Sequence, residues 1–157
     1  MKYAILIAAL ALFSCKSSKN VDIDEPVYYE AATGFQFVQD APLTQVVDLA
    51  KEQDKLVFLD IYTDWCLPCQ IMNEEVFNDE RLGEYFKSEF ISFKVNAEKG
   101  YGPNIATLYE VKGYPTLLFL DQSGRILEQK SGMAYHRELK QMAEQAIRVN
   151  NQNGTSE

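Results

Sequence analysis

Leu56-Val-Phe-Leu-Asp60-Ile-Tyr62-Thr-Asp-Trp65-Cys66-Leu-Pro68-Cys69 decides the reading of this chain. Leu56 to Tyr62 is apolar except for Asp60, short, and preceded by a charged run, so it reads as a strand covered on both faces. Cys-x-x-Cys follows at once, and a helical pattern follows that. Strand, Cys-x-x-Cys and helix in this order point to a redox dithiol rather than a structural bridge. At the first turn of a helix, the Cys66 sulfur faces backbone N–H groups that have no partner within the helix. Those groups and the helix dipole favour negative charge by about 0.3–2 kcal/mol, which draws a thiol at such a position toward thiolate. Cys69 comes three residues later on the same helix face, with an expected Cα separation of about 5 Å, within disulfide range. One thiol can attack a partner while the other waits to resolve the mixed disulfide. Pro68 in the first turn costs little, because its missing N–H would have had no helical partner.

A length of 157 residues leaves room for one ordinary domain, and 46% hydrophobic content suffices for a core. The net charge of −8 argues against a nucleic-acid partner, which would want a basic face. Three cysteines are too few for a disulfide scaffold. Cys66 and Cys69 form a local pair, and Cys15 stands alone near the N-terminus. A zinc site lacks a second Cys pair or His cluster, and haem attachment would want His where Gln70 stands.

Outward from the motif, residues 1–14 read as a targeting segment: Lys2 gives the charged start, and Ala4 to Phe13 is an apolar run too short to span a bilayer. Leu12-Phe13-Ser14-Cys15 resembles the bacterial lipoprotein signal, which implies lipidation of Cys15. The other reading is an ordinary signal peptide with Cys15 incidental. Residues 15–34 read as the lipidated N-terminus and a flexible tether. The expected domain covers 35–149, with a polar tail over 150–157. Within it, Phe35 to Val38 predicts a strand. Asp40 is placed to cap a helix with Leu43, Val46, Val47 and Ala50 on its buried face. Beyond Cys69, Ile71, Met72, Val76 and Phe77 continue the motif helix. Asn78 and Asp79 break it and open another, with Leu82, Tyr85 and Phe86 inward. Ile91 to Asn96 alternates as a strand, with Ser92 and Lys94 on the side opposite Ile91, Phe93 and Val95. Ile105, Leu108 and Tyr109 suggest a helix ended by Gly113. Thr116 to Leu120 and Ile126 to Lys130 form a hairpin about Asp121-Gln122-Ser123-Gly124. Tyr135 to Val149 is the last helix. The order β-α-β-α-(α)-β-α-β-β-α predicts an α/β fold, a central mixed sheet with helices on both faces.

At this point the chain resembles the thioredoxin-like superfamily over roughly 35–149. Trp65-Cys66-Leu67-Pro68-Cys69 looks like the active-site motif. Asp60, six residues before the first cysteine, stands where the family carries a buried aspartate, and Lys94 fits the lysine beside it. Gly113-Tyr114-Pro115-Thr116 looks like the cis-proline loop, and Gly132 also fits. Asp-Ile-Tyr-Thr-Asp-Trp-Cys-x-x-Cys and Val-Phe-Asn-Asp look most like the C-terminal periplasmic domain of the bacterial transmembrane thiol reductase, and like small secreted relatives. Leu67-Pro68 stands where Gly-Pro is usual, Tyr114 is larger than the usual residue, and Gln70 replaces a common basic one. The redox potential is therefore not carried over.

The resemblance implies a thioredoxin fold, a Cys66–Cys69 disulfide in the oxidised form, and protein-disulfide oxidoreductase activity without a cofactor or metal. Cys66 is the expected nucleophile and Cys69 the resolving thiol. Asp60 suits proton transfer with Cys69, and it also suits a structural ion pair with Lys94. Trp65, Tyr114, Pro115 and Thr116 are expected to meet the substrate chain. No histidine separates the cysteines, which leans toward reduction or interchange. The expected setting is a monomer lipid-anchored in the bacterial envelope, facing the periplasm or outer surface. The expected partners are envelope proteins with disulfides and a membrane thiol donor. A non-catalytic binding module for a client protein or metal is the alternative. His136, the sole histidine, reads as a surface residue.

Overall fold

The computed structural model describes residues 27–30 and 34–154. The targeting segment, Cys15 and most of the expected tether lie outside the described residues. β1 (Val27–Glu30), β2 (Gln36–Gln39), β3 (Leu56–Tyr62), β4 (Phe90–Asn96), β5 (Thr116–Leu120) and β6 (Ile126–Ser131) form one sheet in the order β1-β2-β4-β3-β5-β6. β2 and β3 run parallel to β4, while β1, β5 and β6 each pair antiparallel with a neighbour. The helices are α1 (Leu43–Glu52), α2 (Leu67–Ile71), α3 (Glu80–Glu89), α4 (Gly102–Leu108) and α5 (His136–Gly154), with a π-turn over Met72–Val76 between α2 and α3. This is the α/β mixed sheet that the sequence predicts, with one strand added at its N-terminal edge.

The pleat of β3 sorts the core into two layers. Val57, Leu59 and Ile61 face Val38, Val46, Ala50, Phe93, Ile105 and Leu118. Phe58 faces the other way, into a layer of Phe35, Phe37, Phe77, Phe86, Phe90 and Phe119, closed by Leu139, Ala143 and Ala146 of α5. The rings interlock, with Phe35–Phe86 centroids 4.6 Å apart and Phe58–Phe86 4.9 Å apart. Each fully buried Phe contributes about 1.5–3 kcal/mol by leaving water. Asp60 has the parity of Phe58, so its carboxylate enters the aromatic layer, where its β4 register partner is Lys94.

Several elements differ from the sequence reading. Val27–Glu30, expected as tether, pairs with β2 along its whole length. Asp40 does not cap α1: it lies at φ 52°, and α1 starts from Pro42 with no side-chain cap. The alternation read for β4 holds, with Ile91, Phe93 and Val95 in the aliphatic layer, and Ser92 and Lys94 on the other side are buried too. α4 stops at Leu108 rather than running to Gly113, and Leu108 is exposed. The stop is local, since Glu110 takes a left-handed turn at φ 51° and Val111 N–H bonds back to Ala106 O. α5 continues through Asn150 to Gly154, so most of the expected tail is helix.

Candidate active site

Cys66 is the N-cap of α2, and its sulfur accepts the Cys69 backbone N–H at 3.2 Å. The two cysteines are joined by a disulfide with Cα atoms 5.3 Å apart, as their spacing predicts. Both are buried, yet Trp65, Leu67 and Pro68 around them are exposed. The dithiol thus sits just under a small apolar surface, reachable by an incoming sulfur but shielded from bulk water. When the bond is reduced, the same N–H that now meets Cys66 Sγ can donate to a thiolate.

The loop before Cys66 is held from the far end of β4. Asn96 Nδ2 donates to Asp64 Oδ1 at 2.8 Å, and Lys99 Nζ donates to Asp64 Oδ2 at 2.6 Å. Trp65 Nε1 donates to Glu98 Oε1 at 3.0 Å, and Gln70 Nε2 donates to the Asp64 carbonyl at 2.9 Å. Trp65 is therefore no core residue: with 67% of its surface exposed it is a fixed wall beside the sulfurs. Asp64, Asn96, Glu98 and Lys99 have no site role in the sequence reading. Nothing in their spacing announces them, since strand pairing alone brings the end of β4 to the loop after β3.

The proline loop adjoins the same corner. The Tyr114–Pro115 peptide is cis, and Thr116 stands opposite Ile61 in the β3–β5 register. The Tyr114 ring meets Trp65 edge-on, with centroids 5.7 Å apart. Pro115 O accepts from Gly132 N at 2.8 Å, and Thr116 Oγ1 donates to Gly113 O at 2.7 Å, which pins the loop at both ends. Thr116 also lines a cavity of about 410 Å³ between the exit of α4 and β6, together with Leu108, Val111 and Ile126.

Beneath the dithiol helix, Lys94 Nζ donates to Asp60 Oδ2 at 2.5 Å and to Asn73 Oδ1 at 2.7 Å. The ammonium lies 4.7–5.2 Å from the ring centroids of Phe37, Tyr62 and Phe77, whose faces favour a cation. Asp60 Oδ1 is buried with no hydrogen-bond partner, as is Thr63 Oγ1. Burial, and then the charges of Asp64 and Asp60, raise the Tyr62 phenol above its ordinary value, so it stays neutral beside the pair. Asn73 was not singled out from sequence, although its position four residues after Cys69 puts it on that cysteine's helix face. His136 is apart from this cluster, 3.8 Å from Asp79 at the start of α3. Among the described residues no group of three or more His, Cys, Asp or Glu side chains is placed to hold a metal ion.

A family model described as thioredoxin-like matches residues 41–122. The thiol:disulfide interchange protein DsbD of Pseudomonas sp. (strain JR1 / K1) is 28% identical over 120 residues, covering 76% of this chain and 20% of that protein. Its counterpart in Yersinia pestis is 33% identical over 91 residues, covering 57% of this chain and 15% of its own length. The chain thus spans about a fifth or less of the curated relatives it matches. Among solved structures, a candidate disulphide-isomerase from Bacteroides thetaiotaomicron superposes with a TM-score of 0.66 at 32% identity, covering 75% of this chain and 97% of that one. A thioredoxin from Thermus thermophilus, with a TM-score of 0.62 at 22% identity, shares the fold. With the sheet order, the helix-capping Cys66–Cys69 pair and the cis-proline loop in place, the chain belongs to the thioredoxin-like family.

Proposed function

We propose that this chain is a protein-disulfide oxidoreductase of the bacterial envelope that works as a reductase or interchange protein. The observation that carries the reading is the Cys66–Cys69 pair closing at a helix N-terminus beneath exposed Trp65 and Leu67. In the reduced chain the Cys66 thiolate attacks a substrate disulfide. A Cys66–substrate bond forms, and the displaced substrate sulfur leaves as a thiolate that takes a proton. Cys69 then loses its proton to Asp60 and attacks Cys66. The intramolecular disulfide forms, and the second substrate sulfur leaves and is protonated. Two electrons pass to the substrate, and an external dithiol donor must return them. Trp65, Tyr114, Pro115 and Thr116 form the wall against which the substrate chain lies.

The relatives named thiol:disulfide interchange protein support an envelope setting and a membrane thiol donor. No helix among the described residues is long and apolar enough to cross a membrane. In this reading lipidation of Cys15 supplies the attachment, with residues 16–26 as the tether. Envelope proteins with disulfides are the proposed substrates.

Replacing the resolving thiol tests the chemistry. Cys69→Ser is expected to trap substrates on Cys66 as mixed disulfides visible on a non-reducing gel and released by a reductant. Cys66→Ser is expected to trap none. A Cys69→Ser chain that binds the same partners without a covalent bond would instead establish a non-catalytic binding module.

A further inference from the structure

We infer that Asn73 is a positioning residue for the proton step: it holds the Lys94 ammonium on Oδ2 of Asp60 and so keeps Oδ1 open to take the Cys69 proton. The inference rests on the proton role proposed above for Asp60, and it names the device that makes one carboxylate oxygen available.

Three observations converge on it. Asn73 follows Cys69 by four residues, so the two share a helix face. It stands in the π-turn, closed by the Phe77 N–H to Met72 O bond of 2.9 Å, and such turns occur frequently at functional sites. An ammonium only donates, so Lys94 fixes the Asn73 carboxamide with its oxygen inward. The result is an asymmetric carboxylate: Oδ2 is bound to Lys94, while Oδ1 is buried and has no partner.

The asymmetry depends on a second acceptor for the lysine. Lys94 is 7% exposed and lies among the rings of Phe37, Tyr62 and Phe77, so water is a poor substitute. Without Asn73 Oδ1, the released N–H turns to the nearest strong acceptor, the same carboxylate. Lys94 then clasps both oxygens, and a carboxylate so held is a poorer proton acceptor. A neutral amide performs this task without adding a charge that would compete with Asp60 for the lysine. Lys94 from β4 and the neutral Tyr62 phenol from β3 act directly on Asp60, and Asn73 of the helical segment reaches it through Lys94. Asp64 and Lys99 lie farther out, and they pair with each other.

The test is a stopped-flow reaction of the reduced chain with an aromatic disulfide that releases coloured thionitrobenzoate. The first release reports attack by Cys66, and the second reports resolution by Cys69. Positioned proton transfer is worth about 10²–10⁴-fold, and misplacing its acceptor costs a part of that. Asn73→Leu is therefore expected to leave the first phase unchanged and slow the second about tenfold at neutral pH, with its pH profile moved to the alkaline side. Asn73→Gln keeps a neutral amide oxygen within reach of Lys94 and is expected to restore most of the second phase. A folded Asn73→Leu chain with the wild-type second phase and pH profile would overturn the inference. Equal slowing in both variants with no change of profile would do the same. Asp60→Asn combined with Lys94→Met, which leaves no unpaired buried charge, separates the two layers. If that variant also resolves at the wild-type rate, the proton role of Asp60 fails. If it is slow while Asn73→Leu is not, only the role of Asn73 fails.

Discussion

Asp121 shows how one side chain can hold a whole connection. Its Oδ1 accepts from Ser123 N, Ser123 Oγ and Arg125 N at 2.6–3.0 Å, and its Oδ2 accepts from Arg125 Nε at 2.7 Å. Burial alone would raise its carboxyl, but these hydrogen bonds outweigh burial and hold it below the ordinary carboxylate value. The depressed folded-state value means that this stabilisation is fully present above about pH 4 and is lost as pH falls through the folded value. Asp121→Asn is expected to cost about 1–2 kcal/mol at pH 7 and to flatten the acid limb of stability. Urea unfolding at a series of pH values checks this, and an acid limb as steep in the variant as in wild type would refute it. At this scale the dithiol and the Asp121 turn were legible from local signatures, and the Asp60–Lys94 pair and the cis Pro115 from the resemblance. Asn73 was legible in principle from its i+4 spacing to Cys69. Asp64, Asn96, Glu98 and Lys99 were not, because their meeting is made by two strands distant in sequence.

Elements meet tightly where α3 crosses the entry to β2. Gly34 sits at φ 112°, and a Cβ there would collide with the Phe77 carbonyl. A Cβ on Gly83 of α3 would in turn collide with the Gly34 backbone, so both glycines are required by the approach itself. Gly83→Ala, favourable by helix propensity alone, is expected to destabilise the domain by about 1–3 kcal/mol through overpacking. Thermal melts decide it, and an unchanged or raised Tm would contradict the packing described. The misread elements have physical causes of the same kind. β1 follows a polar run and carries no period of its own, and pairing with β2 makes it a strand. α5 outruns its apolar face because polar residues such as Asn150 and Gln152 continue a helix already nucleated and docked. α4 ends early because a left-handed residue stops it before the glycine that seemed the signal.

At the scale of the molecule, the sheet buries one layer of aromatic rings and one of aliphatic side chains. The dithiol helix starts at the C-terminal end of β3, between the end of β4 and the start of β5. That placement brings four things to one corner: the loop clamp from β4, the cis-proline loop, the Asp60–Lys94–Asn73 cluster and the exposed apolar wall. In the proposed role this corner carries electrons toward substrate disulfides. Its most direct test is the reduction potential of the Cys66–Cys69 pair, by equilibration in defined thiol buffers. A reducing role calls for a reversible two-electron transition near that of thioredoxin, about −270 mV. A value near that of a strong oxidant, about −120 mV, would contradict a reducing role, and no reversible transition at all would contradict the enzyme itself.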